Sequence, residues 1–121
     1  MTTVLWILNI VLAVAFLASG IMKATQPTDA LVGRGLTWAA GFQPKTVKGI
    51  GVVEIVGAVG LILPRLTGVA TALTPLAAVG LFVTMIFAIV LHQRRRESYT
   101  PALVLAILSA VSAVLGFILL F

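Results

Sequence analysis

Four stretches of about 20 apolar residues run through the chain, and a helix of that length matches the roughly 30 Å hydrocarbon thickness of a bilayer. They are Thr3–Met22, Pro44–Leu63, Leu66–Leu91 and Pro101–Phe121. Lipid offers no partner to a backbone N–H or C=O, so each stretch must satisfy its own backbone as a helix. The runs are continuously apolar, too long and too few for the alternating strands of a membrane barrel. Composition closes the other routes. Only 9% of residues are charged and 61% are hydrophobic, whereas a soluble domain carries roughly 25% charge. The expected fold is all-α: a single domain forming an up-down four-helix transmembrane bundle, with a short interfacial helix between helices one and two.

Local signals place the helix ends. Pro44 suits the first turn of the second helix, and Thr100 with Pro101 suits the start of the fourth. Pro64–Arg65 predicts a tight break between spans two and three. Pro75 falls inside the third span and predicts a kink. The 20-residue connection Ala24–Gln43 is long for so small a protein. Thr28 or Asp29 can cap a short helix there, running to about Ala40, with Trp38 at the lipid–water interface. That helix either lies on the bundle end or closes over a cavity. Ala18-Ser19-Gly20 looks like a signal-peptide cleavage site, but no basic residue precedes Val4 and the apolar run is too long, so the expectation is an uncleaved span.

Basic residues set the expected orientation. Lys23, Arg34, Lys45, Lys48, Arg94, Arg95 and Arg96 lie in or beside loops one and three, and only Arg65 lies at the other end. Loops one and three are expected in the cytoplasm and both termini outside, in a plasma membrane. Arg94–Arg96 read as a lipid-facing basic cluster, with no nucleic acid as partner. The expected partners are the lipid bilayer itself, a membrane protein, or further copies of the chain.

The chain is poor in chemical groups. It has no cysteine, one histidine and three acids. These supply no catalytic triad, phosphate loop or carboxylate pair, and His92 with Glu97 alone make a poor metal site. The expectation is a protein with no catalytic residues, no metal ligands and no activity of its own. Glu54 stands out, because an ionisable group near mid-span is costly unless it is paired or faces a wet interior. Its neighbours one turn away, Gly51, Gly57 and Ala58, are small, which permits either close helix contact or a ligand. Asn9, Phe16, Gly20 and Lys23 fall on one stripe of the first helix, placing a cation and an amide toward the interior. Candidate residues for a buried polar pair or ligand site are therefore Glu54, Lys23, Asn9, Gly20 and Gly57. Small-residue ridges on the fourth helix (Ala102, Ala106, Ala110; Ser109, Ala113; Ser112, Gly116) read as packing faces.

Three segments carry a family likeness. Phe16-Leu17-Ala18-Ser19-Gly20-Ile21-Met22-Lys23 resembles the first-helix signature of the DoxX-like family, Gly41-Phe42-Gln43-Pro44 the start of its second helix, and Gly51-Val52-Val53-Glu54 with the glycines that follow its Gly-x-x-Glu motif. The likeness is specific over residues 16–63 and general beyond them. It implies a bacterial four-helix membrane protein of the kind found as non-catalytic subunits beside redox or stress-response complexes, with Gly20, Lys23, Glu54 and Gly57 as matching residues. It transfers no cofactor ligand. A second reading is a binder of a small lipophilic molecule, a quinone or a lipid, near Glu54. A third is a small proton-coupled transporter, although the uneven basic loops and the Glu in the second helix differ from small multidrug resistance proteins.

Overall fold

The computed structural model describes residues 2–120. Five α-helices and one 3-10 turn follow in order: α1 (Thr2–Thr25), α2 (Thr28–Gly33), a 3-10 turn (Thr37–Gly41), α3 (Pro44–Thr67), α4 (Leu73–Arg94) and α5 (Thr100–Leu120). There is no strand among the described residues. Helices α1, α3, α4 and α5 are each long and apolar enough to cross a membrane. Phe121, the expected end of the fourth span, lies outside the described residues. Helix α1 packs chiefly on α3, α4 on α5, α3 on α4 and α5 on α1, which closes a four-membered ring. A hydrogen bond of 3.0 Å from Thr37 Oγ1 to Glu97 Oε2 joins loops one and three, so both lie at the same end of the bundle.

The apolar residues are sorted by size. Large side chains such as Ile7, Val14, Val56 and Phe87 point outward and are exposed. The interior holds Ala58, Ala78, Ala102, Ala106 and Ala113 beside Leu12, Phe16, Leu61 and Leu81. Lipid tails are as apolar as leucine, so burying a large side chain gains little there, and close backbone approach through small residues drives association. The ridges of α5 face this core, where Ala102, Ala106, Ser109, Ser112 and Gly116 are all buried. Asn9 fastens three helices: its amide donates to the Leu61 carbonyl of α3 (3.3 Å), and its oxygen accepts from the Ser112 hydroxyl of α5. Left unpaired, that amide would carry the full cost of a buried polar group.

The structure departs from the sequence expectations at several joints. Pro64 does not end the second span. Helix α3 continues through it to Thr67 and stops at Gly68, whose left-handed backbone (φ 74°) lets its N–H bond the Pro64 carbonyl. A proline in the last turn disturbs only one carbonyl upstream, so the helix tolerates it. The third span begins at Leu73, not Leu66, which places Pro75 in its first turn, where the missing N–H has no helical partner anyway. The expected kink therefore has no cause. Helix α5 starts with Thr100 already inside it, Leu103 N–H bonding the Tyr99 carbonyl, so Thr100 is not the cap. The helix expected to run to Ala40 stops at Gly33, because Gly35 takes a φ of 97° that helical continuation forbids. Trp38 is buried, packed with Leu31, Ala39 and Val47.

The tightest contact in the bundle lies between α1 and α3. A Cβ built on Gly20 would stand 2.6 Å from the Gly51 carbonyl oxygen, and one on Gly51 would stand 2.6 Å from the Gly20 oxygen. Neither oxygen belongs to a flexible side chain, so the helices would have to separate. Gly20→Ala is expected to destabilise the protein by about 1–3 kcal/mol, the usual range for overpacking. Thermal unfolding in mild detergent measures this, with Gly49→Ala, where a Cβ meets nothing within 4 Å, as the silent control.

Candidate ligand-binding site

The Gly20–Gly51 contact positions the ionisable groups of the membrane interior. Lys23 follows Gly20 by three residues and Glu54 follows Gly51 by three, on two helices that run in opposite directions. Where the backbones touch, the Lys23 stem passes over Gly51: a Cβ there would meet Lys23 Cβ at 2.9 Å. The ammonium then reaches Glu54, Nζ to Oε1 2.5 Å, with Glu54 1% and Lys23 8% exposed. Lys23 also occupies the last turn of α1, where the helix dipole favours a cation. The Trp38 ring, carried by the 3-10 turn of loop one, lies 5.5 Å from Nζ and adds a cation–π contact. Trp38 in turn meets Phe42 edge to face at 5.8 Å.

Beside this pair is a cleft of about 740 Å³ between α3, α4 and loop one, within the size range of small-molecule sites. Lys23, Glu54 and Trp38 line one side, and Ile50, Met85 and Ala88 supply apolar wall. Val53 and Phe87 also line it and are exposed on the outside of the bundle, so the cleft opens sideways toward the lipid-facing surface. Arg94 and His92 stand at its loop end. The arrangement offers ammonium donors and aromatic faces to an apolar molecule with a polar head.

The other candidate residues have different surroundings. Gly20 is buried beneath the ion pair as the contact that sets it, and reaches no cleft. Gly57 lies against Leu81 of α4, the nearest atom 2.6 Å from its built Cβ, and borders a smaller groove of about 340 Å³. Asn9 is separated from the pair along α1 by buried Leu12 and Phe16 and serves the three-helix junction. Three participants were not legible in the sequence. Gly51 stands in the sequence as a small neighbour of Glu54 and as the glycine of the Gly-x-x-Glu motif, and neither reading shows its contact with α1, although its spacing to Glu54 repeats that of Gly20 to Lys23. Trp38 and Phe42 lie in a loop without periodicity, and no local pattern aims them at Lys23.

Glu97 holds loop one over the cleft. Its carboxylate accepts from Thr37 Oγ1 and from Arg95 Nε (3.2 Å), and pairs with His92 Nδ1 at 3.1 Å. The His92 hydrogen bond is the largest reason that this carboxyl titrates below the usual carboxylate range; burial opposes it, and Thr37 and Arg95 add to the lowering. A depressed carboxyl stabilises fully above the unfolded value of about 4.3, and the effect disappears as pH falls through the lower folded value. The loop is thus expected to stay attached through the ordinary carboxylate range and to loosen only below it. Trp38 emission in a Trp6→Phe background reports this, and Glu97→Gln is expected to flatten the profile.

Removing one partner of a buried ion pair leaves an uncompensated charge and costs about 3–5 kcal/mol, whereas replacing both with apolar residues is often near neutral. Lys23→Met and Glu54→Leu are each expected to lower stability strongly, and the double variant to recover most of the loss. Unfolding in detergent measures all three. Additive losses in the double variant are incompatible with a direct pair.

The sequence model of the DoxX-like family matches residues 7–116. No curated protein and no solved structure matches the chain. The matched region includes α1, α3 and α4 from Ile7 onward, most of α5, and all residues of the Lys23–Glu54 site. The chain belongs to the DoxX-like family.

Proposed function

We propose that this protein is a non-catalytic membrane component that binds a small lipophilic molecule, a quinone or a lipid, in the cleft beside Lys23 and Glu54. The observation that carries the reading is a buried ion pair on the wall of a mainly apolar cleft that opens sideways. A lone pair buried only for packing needs no such space. One Lys23 N–H is committed to Glu54, and an ammonium has three to give. A carbonyl or hydroxyl oxygen of a guest accepts another, while the Trp38 and Phe42 rings meet its planar or aliphatic body. Any redox chemistry then belongs to the guest or to a neighbouring membrane complex, because the chain has no group of its own for it. We place loops one and three in the cytoplasm on the strength of their basic residues. The family resemblance favours work beside a redox or stress-response complex. Transport has less support, since Leu12 and Phe16, both at 0% exposure, fill α1's inner face between Asn9 and Lys23.

The test uses the full chain in mild detergent. Native mass spectrometry is expected to find a co-purifying small molecule. A short-chain quinone analogue is expected to raise the melting temperature, by an amount equivalent to about 2.7 kcal/mol at a hundredfold excess over Kd. Replacing Val53 by Trp, at the lipid-facing side of the cleft, is expected to abolish that shift without lowering the ligand-free melting temperature. Absence of both adduct and shift overturns the reading.

A further inference from the structure

Resting on that reading, we infer that the preferred guest is an anionic single-chain amphiphile, a long alkyl chain ending in a carboxylate or phosphate, with its head at Arg94 and its chain along the cleft toward Met85.

The inference comes from how the acids are distributed. The chain has three acidic residues. Glu54 is occupied by Lys23, and Glu97 by His92 and Arg95. Asp29 sits in the first turn of α2, and the cleft lining does not include it. Arg94 lines the cleft and forms no ion pair with any described residue. Within the lining, Glu54 cancels Lys23, which leaves the Arg94 guanidinium as the uncancelled charge beside His92. Arg94 is exposed at the loop end of the cleft, where it is free to take an anion from outside the chain, and a guanidinium binds carboxylate or phosphate through two parallel N–H donors.

The shape agrees with a single chain. On α4 the lining runs from Arg94 back to Thr84, ten residues or roughly 15 Å of helix. The wall over this length is apolar, with Leu91, Ala88 and Met85 on α4 facing Ile50 and Val53 on α3. Glu54 on the same wall is 1% exposed and already paired with Lys23, so an alkyl chain passes no unpaired carboxylate. Thr46, beside the mouth on α3, adds a hydroxyl to the head region. A neutral quinone fills the same apolar volume but leaves Arg94 unanswered.

Binding of oleate, oleoyl lysophosphatidate and oleyl alcohol to the full chain in nonionic detergent tests this, read by Trp38 emission in the Trp6→Phe background and by adduct mass. Oleate and the lysophosphatidate are expected to bind at least tenfold more tightly than the alcohol, and their ratio tells a carboxylate site from a phosphate site. Arg94→Gln is expected to weaken both anions about tenfold, the value of one charge-assisted hydrogen bond, and to leave the alcohol unchanged. Lys48→Gln, an exposed cation at the same end outside the lining, is expected to change nothing. Equal binding of anion and alcohol, or equal loss in Arg94→Gln and Lys48→Gln, overturns the inference. If the quinone analogue binds while oleate does not, this inference alone falls; if neither binds, the lipophilic-guest reading falls with it.

Discussion

Two glycines in contact govern the rest of this molecule. With Gly20 and Gly51 backbone to backbone, α1 and α3 approach closely enough for the Lys23 stem to cross α3 and for its ammonium to meet Glu54. Separate the helices by the width of a methyl group and a carboxylate is left in the membrane interior without its cation. The packing contact and the ion pair are therefore one constraint. The cost of an acid in the bilayer core is met by a cation brought from the adjacent helix, and that cation also attracts the Trp38 ring from loop one. A loop with little regular structure thereby acquires a fixed position over the bundle.

The bundle is fastened differently along its length. Between α3 and α4, Gly57 lies on Leu81 and Gly60 on Ala77, in the half that also contains the Asn9 junction. Toward loops one and three no such glycine contact joins these two helices, and the cleft occupies the space between them. Small residues bring helices together in lipid, so their placement decides where the bundle is solid and where it gapes. The cleft lies where the glycine contacts between α3 and α4 end.

Much of this could be read from the chain before any coordinates. The length and continuity of the apolar runs fix four helices, because lipid permits nothing else. Glu54 and Lys23 announced themselves as charges where charge is costly, and the stripe Asn9–Phe16–Gly20–Lys23 identified the inner face of α1, all four residues being buried. The joints were harder. Pro64 and Pro75 are strong local breakers, yet their effect depends on whether they fall in a first or last turn, and that is set by where the neighbouring span begins. Loop one was the least legible. Its short elements depend on Gly35's positive φ and on tertiary bonds to Glu97, neither of which leaves a periodic trace. The family resemblance pointed to Gly20, Lys23, Glu54 and Gly57. It did not reveal that Gly57 serves the contact with α4 while Gly51 serves the ion pair.

The five-residue connection between α3 and α4 lies at the end of the bundle where Gly57 and Gly60 meet α4. Its backbone turns through Gly68 (φ 74°) and Ala70 (φ 51°), the latter a conformation that a side chain rarely adopts. Below it the two helices are clamped, and at the far end they part. A β-branched side chain at position 70 would meet this backbone with more strain than alanine does, so the bend favours a small residue there.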